Sequence, residues 1–345
     1  MRTMRITVIE CDSPIDPVRD RLGTYGDMFE RLLNAGLRGL KWENKVNLKV
    51  IKTSVVDSPV FPSPETYDAI LLTGSKWDAF SDSEWIIKLT KYVAKIFKET
   101  TKPILGICFG HQIIARALGA PMGRGSKGWE IAVEPIALSQ PGWSLFGKET
   151  LALHQMHRDI VYEVPAGCVN VGSTPKCQIQ GLYMPQRILT VQGHPEHDEF
   201  VIRSMINMRH SQGILGEYLA KDGLSRAGNK HDGVVVAQAI CKHHDMVESL
   251  IEKGADPNLE WQFSIWDHAD WLFYSTLVFA LYLEHLEIVE LLLAKGVHPD
   301  KTDFELATKR NHEEAIALLL EFSYDNLPNI CYLTFQTTGL SACLI

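Results

Sequence analysis

A chain of 345 residues is longer than one ordinary hydrophobic core supports, so two domains are expected. Its composition, 46% hydrophobic and 22% charged, excludes a disordered or fibrous protein. A net charge of −8 argues against nucleic acid as a partner, because phosphate binding needs a basic surface.

The chain opens with "MRTMRITVIECDSP", whose short apolar run is broken by Arg5 and Glu10. That is a poor signal peptide and a good first strand. No stretch of about 18 apolar residues occurs, so no membrane span or membrane partner is expected. The 7 cysteines form no C-x-x-C pair and their number is odd, which fits a reduced, cytoplasmic compartment.

From Ile6 to about Ser211 short apolar runs alternate with amphipathic stretches. "ITVIEC" (6–11), "LKVIKT" (48–53), "YDAILLTG" (67–74), "PILGIC" (103–108) and "ILTVQ" (188–192) read as strands, several almost continuously apolar. Such runs belong to strands buried on both faces. "DMFERLLNAG" (27–36) reads as a helix closed by Gly36, and "SEWIIKLTKYVAKIFKE" (83–99) repeats its apolar residues at helical spacing. The alternation predicts an α/β domain with a mostly parallel sheet flanked by helices. In such folds ligands bind beyond the carboxyl ends of the strands.

One such end carries "ILGICFGHQ" (104–112). "PILGI" is the strand and "FGHQIIARALGA" the following helix, so Cys108 falls on a strand-to-helix turn between Gly106 and Gly110. The pattern G-x-C-x-G has the form of a nucleophile elbow with cysteine in place of serine. The helix N-terminus favours negative charge at the sulfur, and the Phe109 N–H is free to face an oxyanion. An isolated cysteine would read instead as a buried structural thiol. The segment "TVQGHPEHD" (190–198) supplies a base at the end of another strand: His194 to take the thiol proton and Glu196 to orient it. Alone, this histidine would read as a loop residue capping the next helix, "EHDEFVIRSMINM".

"GICFGHQ" together with "GHPE" resembles the class I glutamine amidotransferases, the Cys-His-Glu glutaminase fold of flavodoxin-like architecture, over about residues 4 to 210. The resemblance implies that Cys108 is the nucleophile, His194 the base and Glu196 its orienting partner. It also implies that Gly74, in "LLTGS", is the oxyanion-loop glycine, its N–H acting with that of Phe109. Gln112 matches the family glutamine that helps hold the substrate. "YGDMFERLL", "TGSKWDAFSD", "GRGSKGWEIAV" and "HQMHRDIV" look like the stand-alone γ-glutamyl peptidase-like branch. There, His157 and Asp159 fall where the family often has a histidine–aspartate loop near the pocket, and Trp129 and Glu130 line it. Packing and loop capping explain these four equally well. His111 is next to the nucleophile but lies on the helix.

The implied substrate is glutamine or a γ-glutamyl peptide, cleaved through a γ-glutamyl thioester. No cofactor is implied, no metal is required, and no zinc-ligand spacing is convincing in this half. No G-x-x-x-x-G-K-[ST] phosphate loop occurs, so any ammonia-accepting enzyme acts in trans.

Beyond about Ser225 a repeat appears. "HHDMVESLIEKGADPN" (243–258) aligns without gaps on "HLEIVELLLAKGVHPD" (285–300), and "NHEEAIALLLEFS" (311–323) is a degraded third copy. The pattern resembles ankyrin repeats, whose period is about 33 residues, although the T-P-L-H opening is absent and "EWQFSIWDHADW" is inserted. The expected domains are a 1–215 amidotransferase-like domain, a 216–230 linker, an all-α ankyrin-like segment over 231–323 and a 324–345 tail without a physical account. The repeats are either a stabilising helical extension or a docking surface for a protein partner. Two function classes stay open: a cysteine hydrolase, or a partner-dependent or non-catalytic subunit that uses the repeats for binding, within a biosynthetic pathway in one version.

Overall fold

The computed structural model describes residues 2–56, 59–245, 261–263, 272–274, 286, 289–290, 293, 303, 307 and 313–321. The chain divides into two units, Met1–His244 and Asp245–Ile345.

The first unit begins with β1 (Arg2–Glu10), α1 (Asp16–Leu22), α2 (Tyr25–Gly39), β2 (Val46–Ser54) and β3 (Ala69–Leu72). Next come α3 (Glu84–Glu99), β4 (Ile104–Ile107), α4 (Phe109–Ala117) and β5 (Met122–Arg124). After these lie β6 (Glu130–Leu138), α5 (Gln140–Phe146), β7 (Thr150–His157), β8 (Asp159–Val161), β9 (Val169–Asn170), β10 (Gly172–Ser173), β11 (Leu182–Met184) and β12 (Ile188–Val191). Three helices close the unit: α6 (Glu199–Ser211), α7 (Glu217–Arg226) and α8 (Gly233–Asp245).

The main sheet has seven strands in the order β2-β1-β3-β4-β12-β11-β9. The pairs from β2 to β12 are parallel, and β11 and β9 add an antiparallel margin. The strands are short and apolar because both faces are covered. Ile6, Val8, Leu71, Leu105, Ile107 and Leu189 pack on one side with Phe29, Leu33 and Leu37 of α2 and Val236, Ala239 and Ile240 of α8. Ile9, Ile70, Leu72, Ile104 and Ile188 point to the other side, against Ile86, Leu89, Val93 and Ile96 of α3 and Ile113 and Ile114 of α4. Alternation along each strand and helical spacing on α3 produce these two layers. Each such side chain, fully buried, contributes roughly 1.5–3 kcal/mol. A smaller antiparallel sheet, β10-β6-β7, lies in the same unit, as does the pair β5–β8.

Several expectations change here. Gly36 does not close α2, which starts on a reciprocal Thr24–Asp27 cap and runs to Gly39. Gly36 is instead where α8 comes close: a Cβ there would stand 2.8 Å from Cβ of Ala237. The segment 216–230, expected as a linker, holds α7, whose Ala220 is buried beside Ile131 and Ile206. Arg226 at its end donates to the Val133 carbonyl at 2.7 Å and pairs with Glu134 at 3.0 Å. Residues 233–244, expected to open the repeats, form most of α8 and complete the first core. The first unit thus ends at His244, not at 215.

In the second unit, Trp261–Phe263 (β13) pairs antiparallel with Leu272–Tyr274 (β14), so the segment expected to be all-α contains two strands. Their aromatic-rich sequences, "WQF" and "LFY", favour extended backbone over helix. Glu313–Glu321 is a helix, α9, within the third repeat-like stretch, and Ala315 and Leu319 are buried. Val289 and Leu293, in the second, are helical and buried. The remainder of the proposed ankyrin repeats, including nearly all of the first copy, and the 324–345 tail lie outside the described residues.

Candidate active site

The parallel strands β3, β4 and β12 end side by side, and each is followed within 3 residues by a residue of the site. After β4, Cys108 donates its N–H to the Val191 carbonyl at 3.0 Å and takes φ 51°, ψ −102° before α4 starts at Phe109. A positive φ at a residue with a Cβ costs of order 1–3 kcal/mol and persists only where the surroundings impose it. They do so here through two glycines. A Cβ on Gly110 would stand 2.4 Å from the Leu72 carbonyl oxygen, and one on Gly106 would stand 2.7 Å from the carbonyl carbon of Gly110. The turn is therefore as tight as backbone contact allows, and it holds the thiol at the sheet edge.

After β12, the N–H of His194 donates to the His154 carbonyl at 2.7 Å, which ties this loop to β7. Nδ1 of His194 is 2.8 Å from Oε1 of Glu196, whose side chain is fully withdrawn from solvent. His194 also lies within electrostatic reach of the Cys108 sulfur. Burial alone would disfavour charge on this imidazole, but the Glu196 carboxylate and the Cys108 sulfur outweigh it and raise its pKa above the ordinary range. After β3 comes Gly74, where a Cβ would meet Cε1 of His194 at 2.7 Å and Cβ of Cys108 at 3.7 Å. The structure thus brings together Cys108, His194, Glu196, Gly74 and Phe109 from three separated stretches.

The ring of His197 stacks on His194 with centroids 4.1 Å apart and planes 3° from parallel. His194, Glu196 and His197 bring ligand-capable atoms within 4.8 Å of one another. Stacked imidazoles direct their in-plane lone pairs side by side, not toward a common point, so the trio does not converge as a tetrahedral metal set does. His197 is held neutral, its pKa well below the ordinary range through burial and the neighbouring His194.

The remaining expected pocket residues lie in an interior polar network. Gln112, on α4, is buried and spends its amide N–H groups on the Asp159 carbonyl at 2.9 Å and Oε1 of Gln192 at 3.0 Å. Its amide ties β8 to the residue after β12, whereas the resemblance implied that it helps hold the substrate. His157 is buried, with Nε2 3.1 Å from Oε2 of Glu130 and Nδ1 3.1 Å from the Asp159 carbonyl. Glu130 also accepts from Thr174 at 2.5 Å and Gln180 at 2.9 Å. Burial opposes its charge, yet His157 and these donors hold its pKa below the ordinary range. The Asp159 carboxylate pairs with Arg124 at 2.8 Å. His111 points Nδ1 at Oγ1 of Thr190, 2.7 Å away, and burial lowers its pKa to about 3.

Trp129 carries the guanidinium groups of Arg158 and Arg209 over its ring, at 5.3 Å and 5.1 Å from the centroid. Arg209 and Tyr25 both lie within electrostatic reach of the Cys108 sulfur. Sequence reasoning passed over both arginines and His197. A basic residue in the last turn of a helix reads as a solvated, dipole-compensating charge, and no local pattern marks it as inward-facing.

The glutamine amidotransferase class-I family matches residues 25–201, just over half of the chain. A glutamine amidotransferase-like protein of Schizosaccharomyces pombe is 34% identical over 242 residues, covering 69% of this chain and 97% of that protein. Gamma-glutamyl peptidase 2 of Arabidopsis thaliana is 32% identical over 210 residues, covering 59% of this chain and 82% of that one. Among solved structures, a glutamine amidotransferase from Methylobacillus flagellatus shares the fold with a TM-score of 0.52 and 16% identity, over 70% of this chain and 92% of that one. The sharp turn at Cys108 and the His194–Glu196 contact fall inside the matched region, and the chain belongs to the class I glutamine amidotransferase family.

Proposed function

We propose that the protein is a cysteine hydrolase that cleaves γ-glutamyl amide bonds, with γ-glutamyl peptides as substrates ahead of free glutamine. The observation that carries this reading is the joint placement of Cys108, His194 and Glu196 beside the backbone of Gly74. The named γ-glutamyl peptidases among the relatives support the choice of substrate.

In this mechanism His194 takes the proton of the Cys108 thiol at Nε2, the nitrogen left by the Nδ1 contact with Glu196. The sulfur attacks the γ-carbonyl carbon, and the carbonyl electron pair moves onto oxygen. The N–H groups of Gly74 and Phe109 hold that oxyanion; one such donor is worth about 2.7–4 kcal/mol of barrier. Collapse breaks the C–N bond, and the amine leaves with the proton from His194. Water, deprotonated by the same imidazole, then attacks the γ-glutamyl thioester. Glutamate departs and the thiol regains its proton. Glu196 fixes the ring tautomer and stabilises the imidazolium in both halves.

The test is glutamate release by the purified chain from glutamine and from glutathione, side by side, against Cys108→Ala. Release from glutathione that is faster than from glutamine and absent in Cys108→Ala is the expected result. Glutamine-selective release would make the protein a glutaminase, and release from neither would overturn the hydrolase reading.

A further inference from the structure

Several partly exposed arginines of this unit have carboxylate partners. Arg226 pairs with Glu134 and Asp222, and Arg124 with Asp78 and Asp159. Arg158 and Arg209 differ. Arg158 lies between β7 and β8, and Arg209 in the last turn of α6, so two unrelated elements place their guanidinium groups on one indole, that of Trp129. Nε of each is shut off from solvent and meets no hydrogen-bond partner, and neither arginine forms an ion pair among the described residues. Attraction between a cation and an aromatic face accounts for the position over Trp129. It does not account for two buried N–H donors left unused, each of which costs free energy until something accepts from it. The two like charges also oppose each other. Both costs are relieved by an anion with several acceptor oxygens. A guanidinium offers a planar fork that matches a carboxylate.

The place of the pair says whose carboxylate it is. Arg209 is within electrostatic reach of the Cys108 sulfur, Tyr25 and Asp12. Resting on the hydrolase reading above, we infer that Arg158 and Arg209, mounted on Trp129, bind a carboxylate of the γ-glutamyl substrate. They select for acidic γ-glutamyl compounds against neutral amides that lack one. Two carboxylates have this chemistry: the α-carboxylate of the γ-glutamyl group and the terminal carboxylate of the peptide it is joined to.

Calorimetric titration of the full chain carrying Cys108→Ala tests the inference without turnover. The ligands are γ-glutamyl-glycine, with both carboxylates, and γ-glutamyl-methylamide, with the α-carboxylate alone. Arg209→Gln or Arg158→Gln is added to the same background, and near-ultraviolet circular dichroism reports whether each folds. Should one fail to fold, the other, on a separate element, carries the test. Loss of a bidentate, charge-assisted contact predicts about tenfold to a hundredfold weaker binding. Weakening for both ligands assigns the pair to the α-carboxylate. Weakening for γ-glutamyl-glycine alone assigns it to the peptide carboxylate. Unchanged affinity in both arginine variants, or binding of neither ligand by the Cys108→Ala chain, overturns the inference. Glutamate release by the unaltered chain scores the hydrolase reading separately. Arginine-dependent binding without release leaves the carboxylate site standing and removes the hydrolase, while release with arginine-independent binding does the reverse.

Discussion

Gly74 leaves no room for a side chain against His194: a Cβ there would stand 2.7 Å from Cε1 of the imidazole and 3.5 Å from its Nδ1. Contacts of that length force one partner to move, and the ring is the movable one. It would swing from the 2.8 Å contact with Glu196 and from the Cys108 sulfur. Gly74→Ala is therefore expected to lower kcat/KM for a γ-glutamyl peptide by about a hundredfold, the effect of a misplacement near 1 Å. The melting temperature should stay near that of the unaltered chain, because the backbone of Gly74 does not take a positive φ. Activity within threefold of the original would show that the imidazole is not held by this contact.

The backbone at Cys108 gives a second prediction. With φ 51°, this residue holds a conformation that glycine adopts freely and other residues do not. Cys108→Ala and Cys108→Gly both remove the sulfur, but only glycine releases the strain. Cys108→Gly should be the more stable of the two by about 1 kcal/mol in urea unfolding, despite the entropy that glycine adds to the unfolded chain. Neither should release glutamate. A glycine variant no more stable than the alanine one would mean that the elbow stores no strain.

Much of the site was legible because it depends on local chemistry. The glycines at 106 and 110, the apolar strand before them and the helix after them all lie within one short stretch. Strand alternation then placed the ends of β3, β4 and β12 on one edge. What was not legible depends on distant packing. Gly36 reads as a helix stop from its neighbours alone, and only the arrival of Ala237 shows why a glycine is needed in mid-helix. The apolar stretch of α8 reads equally well as a repeat helix, because its periodicity does not say which surface it covers. Gln112 was assigned toward the substrate, but its amide is taken up by Asp159 and Gln192, far along the chain. Arg209 had no such local signal: a basic residue in a helix's last turn reads as solvated, whereas its guanidinium packs over Trp129 within electrostatic reach of the thiol.

Acid sensitivity should come from histidines buried without charge. Burial, with help from His157, lowers the pKa of His111 to about 3. Burial, with help from His231 and His194, lowers that of His154 to about 3. An unfolded histidine titrates near 6.5. For a depressed group the stability is fully present above the unfolded value and is lost as pH falls from 6.5 toward the folded value. Each such histidine adds a slope of about 1.4 kcal/mol per pH unit across that window. His194 has the opposite sign: its pKa is raised, so its contribution is complete below 6.5 and lost only at high pH. It adds little slope between pH 6 and 5; Asp159, whose pKa burial raises to about 6, titrates there with the opposite sign to His111, but alike in the unaltered chain and in His111→Gln. Urea unfolding at pH 7, 6 and 5 should show a steep fall in stability. In His111→Gln the fall should be shallower by about 1.4 kcal/mol per pH unit, so that the two curves converge toward acid. Parallel curves would mean that His111 takes up its proton equally in the folded and unfolded chains, and that its contact with Thr190 accommodates the charge.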